Sequence, residues 1–198
     1  CRLVRYADDF ICMVEDRRDA ERFARVLPKR FAKFGLTLHP EKTRMMSFGR
    51  HERQNARRQG RKAHTFDFLG FTHYCGRSRK GRFLLGRKTS GKKFRNACRE
   101  MNAWLRRVRS ALPLKEIWRL LAAKLRGHYG YYGVSGNSRM IAKFGYVTTR
   151  AVRKWLNRRS QRKSFNWKQF NAYLAHYPLP RPRIVHHGYR PSPSRETA

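Results

Sequence analysis

The sequence predicts an α+β fold: antiparallel strands with a packed helix over residues 1–88, a basic three-helix module over 89–165, and a Pro-rich basic tail over 166–198. Three observations predict it. Up to about residue 88 the apolar residues come mostly in short strand-like runs, and from residue 93 they recur at helical spacing. Charge divides the chain the same way: residues 1–48 hold 11 Lys/Arg against 7 Asp/Glu, a net +4, while 49–198 hold 37 against 5, or +32 of the total +36. Finally, "RYADDFICMV" places Asp8 and Asp9 side by side between two strand-forming runs. Adjacent carboxylates repel and resist burial unless a cation accompanies them. The pair is therefore either a solvated turn or part of a cation site.

Taken in order, Leu3–Ala7 and Phe10–Val14 read as a hairpin around the aspartates. The second run is apolar on both faces, so its strand is expected to be covered on both sides. Phe23, Leu27, Phe31 and Phe34 then recur at helical spacing, with Pro28 as an expected irregularity and Gly35 as the stop. A strand–turn–strand is expected next, Leu36–Leu38 and Met45–Phe48 around "HPEK". Residues 49–65 show no apolar period and read as an exposed basic loop. "FDFLGFTHYCG" and "GRFLLGRK" pair as strands. In the helical part, Phe94, Cys98, Met101, Leu105 and Val108 line one face of a first helix. A second runs from Leu114 to about Arg126, with Ile117, Leu120, Leu121 and Leu125 inward. A third, capped by Asn137 or Ser138, carries Ile141, Phe144, Val152, Trp155 and Leu156. The segment after Tyr177 is expected to be extended and then disordered.

A surplus of +36 destabilises a compact chain by self-repulsion, so a polyanion is the expected partner. The 26 aromatics among those cations favour nucleic acid over a membrane surface, because rings stack on bases. Nothing reads as a membrane span or a signal peptide. Cys1, Cys12, Cys75 and Cys98 are scattered without a Cys-x-x-Cys, which predicts reduced, buried thiols and a cytoplasmic location. His64, His73 and Cys75 do not have zinc-ligand spacing. "GRKTSGKK", Gly86 to Lys93, imitates a phosphate-binding loop but has Lys93 where Ser or Thr is required, so a basic hinge is expected instead. The chain opens on Cys1 inside a strand-like run and is expected to be a piece of a longer polypeptide.

Several stretches in one order carry a resemblance: "RYADDF", then a helix, "GLTLHPEKT", "FDFLGFTHY" and a basic helical region containing "KLRGHYGYYGVSGNS" and "WLNRRSQRKSFNWKQFNAYLAHYPLPRPRIVHH". The series resembles the bacterial group II intron-encoded reverse transcriptases, or maturases. The resemblance implies the C-terminal part of a reverse transcriptase palm (1–88) followed by a maturase-type thumb (89–165). It implies RNA-directed DNA synthesis by two-Mg²⁺ nucleotidyl transfer, plus assistance to intron splicing. The partners implied are RNA template and DNA primer, dNTPs, the group II intron RNA and its DNA target site.

The resemblance also assigns residues. Asp8 is the carboxylate on both catalytic metals and Asp9 its neighbour. Tyr6 and Ala7 lie beside the primer end and incoming nucleotide, and Lys42 neutralises or protonates the leaving pyrophosphate. Phe68, Leu69, Gly70 and Phe71 form the primer grip. The cations Arg95, Arg99, Arg106, Arg109, Arg150, Arg153, Lys154 and Arg158 contact phosphates, with the salt dependence such contacts bring. Tyr129, Tyr131 and Tyr132 suit stacking on nucleotides or packing between helices equally. One departure stands out: the family's further metal-binding aspartate on an earlier strand, and its fingers, are not in these residues. The chain by itself is therefore expected not to polymerise. A non-catalytic maturase acting only in splicing, or a reverse transcriptase of another bacterial retroelement, are the alternatives.

Overall fold

The computed structural model describes residues 1–78, 80–159 and 165–188. Among them are six helices and two small antiparallel sheets, a mixed α/β architecture. Strands β1 (Arg2–Tyr6) and β2 (Asp9–Met13) form the expected hairpin, in register from Arg2↔Met13 to Tyr6↔Asp9. Helix α1 (Arg17–Ala32) starts where the Asp16 side chain accepts a hydrogen bond from the Arg18 N–H. It runs through Pro28 and ends in paired bonds, Leu36 N–H to Phe31 O and Gly35 N–H to Ala32 O. Gly35 at φ +67° makes that ending possible. Phe10 meets Phe31 edge to face, docking the helix on the hairpin.

Four expectations for this region fail. Strand β2 is not covered on both sides: Phe10, Ile11 and Cys12 are only half-buried, α1 buries no residue, and Met13, Phe34, Leu3 and Leu36 stay exposed. The strands at Leu36–Leu38 and Met45–Phe48 do not form. A strand needs a partner ladder, and no described strand lies beside these; instead the Lys42 and Thr43 N–H groups close a turn on His39 O. The basic loop contains a helix, α2 (Glu52–Arg58), ended by Gly60 at φ +63° and anchored by buried Glu52 and Ala56. Cys1 is also exposed, not buried, with its sulfur 3.3 Å from that of Cys12.

Strands β3 (Thr65–Phe68), β4 (Phe71–Arg77) and β5 (Phe83–Thr89) form a meander in the order β3-β4-β5. The side chain of Tyr74 lies over Gly86, its cross-strand partner, where an added Cβ would collide with the ring. Strand β5 runs straight into helix α3 (Gly91–Ala111), whose N-cap is Ser90, so the expected hinge is a direct strand-to-helix junction. Helices α4 (Leu114–Tyr132) and α5 (Ser138–Leu156) pack with α3 as the period predicts, although α4 is longer than expected and takes in the glycines and tyrosines of "GHYGYY". Its core includes Met101, Leu105, Leu121, Leu125, Ile141, Phe144 and Val152. A fourth helix, α6 (Trp167–His176), lies in the span read as a tail. It opens with a capping box between Asn166 and Gln169 and inserts fully buried Phe170 into the core. Burial of such a side chain contributes about 1.5–3 kcal/mol, enough to hold a short helix in place.

After α6 the chain is extended, as expected, and tied back to the end of α4. Val185 and His186 N–H donate to Gly133 O, and Ser135 N–H donates to His186 O. The disordered end expected beyond this lies outside the described residues.

Candidate functional site

Asp8 and Asp9 sit at the tip of the β1–β2 hairpin, where the Tyr6↔Asp9 pair closes a two-residue turn of Ala7 and Asp8. Ala7 takes φ +53°, a strained backbone for a residue with a Cβ, and Arg5 Nε donates to Ala7 O at 2.8 Å across the turn. Tyr6, Ala7, Asp8 and Asp9 are all exposed. Among the described residues neither aspartate side chain has a hydrogen-bond or ion-pair partner, in a chain with 48 Lys and Arg. Unpaired oxygen donors held by a strand ladder suit a hard cation such as Mg²⁺, which takes one or two carboxylates and completes its shell with water and phosphate. No cluster of three or more His, Cys, Asp or Glu able to hold a metal occurs among the described residues, so the two aspartates stand without a third protein ligand. Lys42 is exposed in the His39 turn, and no contact joins it to either aspartate.

Phe68, Leu69, Gly70 and Phe71 form the β3–β4 turn. Leu69 at φ +49° and Gly70 at φ +78° are its two central residues, the positive-φ pair of a tight hairpin turn. Ala7 and Leu69 are the non-glycine residues with positive φ among those described, and each lies in a turn that the resemblance marks.

The end of α4 holds this second turn. Tyr131 Oη donates to Leu69 O at 2.9 Å, its ring stacks on Phe71 at 5.9 Å, and the ring of Tyr132 meets Phe71 edge-on. Ser90 N–H donates to Gly70 O at 2.9 Å. A Cβ on Gly70 would lie 3.1 Å from Tyr132 Oη, so a side chain there would press on the buttress as well as strain the turn. The tyrosines thus pack between elements, and Tyr129 is buried in the core.

Sequence reasoning missed the residue that locks this joint. Fully buried Asn137 accepts from Thr89 N–H and donates to Thr89 Oγ1 and to Tyr132 O, each at 2.8 Å. One side chain therefore ties the end of β5 to the end of α4. It was legible only as a possible helix cap, and its side chain makes no cap bond. Also missed was Glu52, which accepts from Arg61 and from the His64 N–H; the Arg61 bond first, then the His64 one, hold its carboxyl down at about 2 despite burial. Glu52 precedes Ala56 by one turn and Gly60 by two, a helix-and-stop pattern hidden among the charges.

The cations of the helical module fall into three groups. Arg95, Arg99 and Arg106 are exposed along α3. Arg109, Lys154 and Arg158 converge on the indole of Trp155, at 5.1, 4.9 and 5.4 Å from its ring centre, while Trp155 Nε1 donates to Asn102. Arg150 lies over Tyr146, and Arg153 is half-buried, 4.2 Å over Trp167 with a bond to Phe165 O. None of the eight pairs with a carboxylate among the described residues. Cations in such excess over the acids beside them call for anions from outside the chain. No described helix is long and apolar enough to cross a membrane. No hydrogen bond, ion pair or ring contact links residues 1–46 to the β3–β4 turn among the described residues.

An acidic hairpin tip and a basic helical surface, with Glu100 and Glu116 as its described acids, thus share one mixed α/β chain. Residues 1–73 match the family model for reverse transcriptase (RNA-dependent DNA polymerase), and residues 92–174 match that for the group II intron maturase-specific domain. The chain belongs to the group II intron reverse transcriptase/maturases. No curated protein and no solved structure matches it.

Proposed function

We propose that the chain supplies the C-terminal palm (1–88), the helical thumb (89–165) and a basic C-terminal tail (166–198) of a group II intron RNA-directed DNA polymerase. The observation that carries this is the strained hairpin tip, which presents two unpaired carboxylates from a chain of +36. When bound there, Mg²⁺ supplies charge neutralisation for an attacking 3′ hydroxyl and a leaving pyrophosphate. Asp8 and Asp9 would hold it, and the hairpin ladder fixes the backbone that carries them. Tyr6 and Ala7 flank the primer end, Phe68–Phe71 bears on the primer backbone, and Lys42 neutralises pyrophosphate. The eight cations and the Trp155 cluster grip the phosphates of a template–primer duplex and of intron RNA, whose A-like helices offer backbone and 2′-hydroxyl contacts in preference to base edges. The DNA target site and dNTPs complete the partners, and the work is cytoplasmic.

Two carboxylates without a third are short of the family's metal set, so this chain alone does not polymerise. The test is primer extension on poly(rA)/oligo(dT) with Mg²⁺, comparing the full product of the gene, its Asp8→Ala variant and this chain. Extension by the full product only supports the proposal. Extension that survives Asp8→Ala removes Asp8 from the metal site. No extension by a folded, RNA-binding full product leaves a splicing factor, the second reading, which the basic surface serves equally well.

A further inference from the structure

A cleft of about 340 Å³ opens between α4, α5 and the extended segment after α6. Its floor holds Tyr129 and Gly145, its rim Tyr146 and Arg181, and its far wall Leu174 and Pro180. Of these, Tyr129 has already been placed in the core; the other five have no role so far. Tyr129 is 3% exposed, but its hydroxyl is not a fully buried atom: it makes no hydrogen bond to a described residue and reaches solvent through the cleft. That oxygen lies over Gly145, where a Cβ would sit 2.6 Å away, so the missing side chain at 145 is what lets the hydroxyl reach the floor. A tyrosine hydroxyl that faces a cleft without a protein partner is free to hydrogen-bond a bound molecule in place of water.

At the rim, Tyr146 is 60% exposed, and Arg150 Nη1 donates to its hydroxyl at 3.1 Å while lying 5.7 Å over its ring. The cleft thus offers an aromatic rim residue propped from outside by Arg150, one lining guanidinium, that of Arg181, and a hydroxyl at its base without a protein partner. Its volume is at the small end of ligand sites, which run about 300–1,000 Å³, and suits a single ring system with its sugar. A ring that stacks, an edge that hydrogen-bonds and a phosphate that pairs with arginine together describe a nucleotide. We infer that this cleft receives one unpaired base of a single-stranded RNA segment, stacked on Tyr146, with its edge at Tyr129 Oη and its phosphate between Arg150 and Arg181. The inference rests on the RNA-binding part of the proposed function, and it adds a site for unpaired RNA to a surface otherwise suited to duplex.

The test measures affinity of the chain for single-stranded oligouridine of about a dozen nucleotides, and for an RNA duplex of equal length, at one salt concentration. Tyr146→Ala should weaken the single strand about tenfold and the duplex less than about twofold, with Tyr146→Phe restoring most of the loss. Tyr129→Phe, which removes only the unpartnered oxygen, should weaken the single strand several-fold with an unchanged melting temperature. Ultraviolet crosslinking of 5-iodouridine-substituted RNA should map to the peptide containing Tyr146. Equal losses on both RNAs, or single-strand affinity within about twofold of wild type for both Ala and Phe variants, overturn the inference while leaving RNA binding intact. Failure of the wild-type chain to bind either RNA overturns the RNA-binding reading and this one with it.

Discussion

Whether Gly145→Ala stabilises or destabilises should depend on the residue at position 129. A Cβ at Gly145 lies 2.6 Å from Tyr129 Oη, well inside contact distance, and the next tyrosine atom, Cζ, is 3.7 Å away. Tyr129 is 3% exposed in the core and cannot swing aside without disturbing its neighbours. Overpacking of this kind costs about 1–3 kcal/mol. Against it, Gly145 is inside α5, where Ala is the better helix former by about 0.8–1.0 kcal/mol. The net for Gly145→Ala in the wild-type chain is a loss of up to about 2 kcal/mol. In a Tyr129→Phe background the offending oxygen is gone and the remaining contact is ordinary. The same substitution should then stabilise by up to about 1 kcal/mol. Tyr129→Phe alone should change stability by less than about 0.5 kcal/mol, because the hydroxyl has no partner to lose. Urea unfolding of the wild type, both single variants and the double, followed by tryptophan fluorescence and far-UV circular dichroism together, gives the coupling energy directly. An effect of Gly145→Ala that is the same in both backgrounds, within about 0.3 kcal/mol, would refute the contact.

Asn137→Ala should cost about 2–4 kcal/mol in the same assay, because it strands the buried Thr89 N–H and Oγ1, while Tyr132 O keeps its bond from Val134. Glu52 has a folded pKa of about 2 against 4.5 unperturbed, so its stabilisation is present above about pH 4.5 and lost as pH falls toward 2; roughly 3 kcal/mol should disappear over that window, and the dependence should be absent in Glu52→Gln. His128, stacked 3.6 Å on Phe144, is pushed by burial down to about 4, so it too should make stability fall between pH 6.5 and about 4, a slope that His128→Phe should remove. Arg153→Ala should lower the melting temperature, since that guanidinium joins α5 to α6, whereas Arg106→Gln should leave melting unchanged and reduce the salt slope of RNA binding by about 1.

Local pattern was enough for everything that depends on neighbours along the chain. The hairpin around Asp8 and Asp9, the β4–β5 pairing and the inward faces of α3, α4 and α5 were legible, because strand and helix periods are written into consecutive residues, whereas "FDFLGFTHYCG", read as one strand, folds back on itself at Leu69–Gly70 into β3 and β4. The strands at Leu36–Leu38 and Met45–Phe48 were misread for the complementary reason: strand composition is not a strand until a ladder partner exists. Helix α2 was hidden because its apolar face is a single alanine and its anchor is a carboxylate, Glu52, neutralised by Arg61. Charge patterning alone does not distinguish that buried acid from a solvated one.

The candidate site divides along the same line. The aspartate pair, the "FLGF" turn and the basic surplus belong to the sequence by itself, as chemistry that short peptides already display. Tertiary structure decided which of these groups are engaged. It left Asp8 and Asp9 unpaired, drew three cations onto Trp155, turned Arg153 into a helix joint and set the tyrosines of α4 against Leu69 and Phe71. It also placed Asn137, 48 residues from Thr89, where one buried amide spans two modules. Such contacts depend on the distance between groups far apart in sequence, and only the packed core sets that distance.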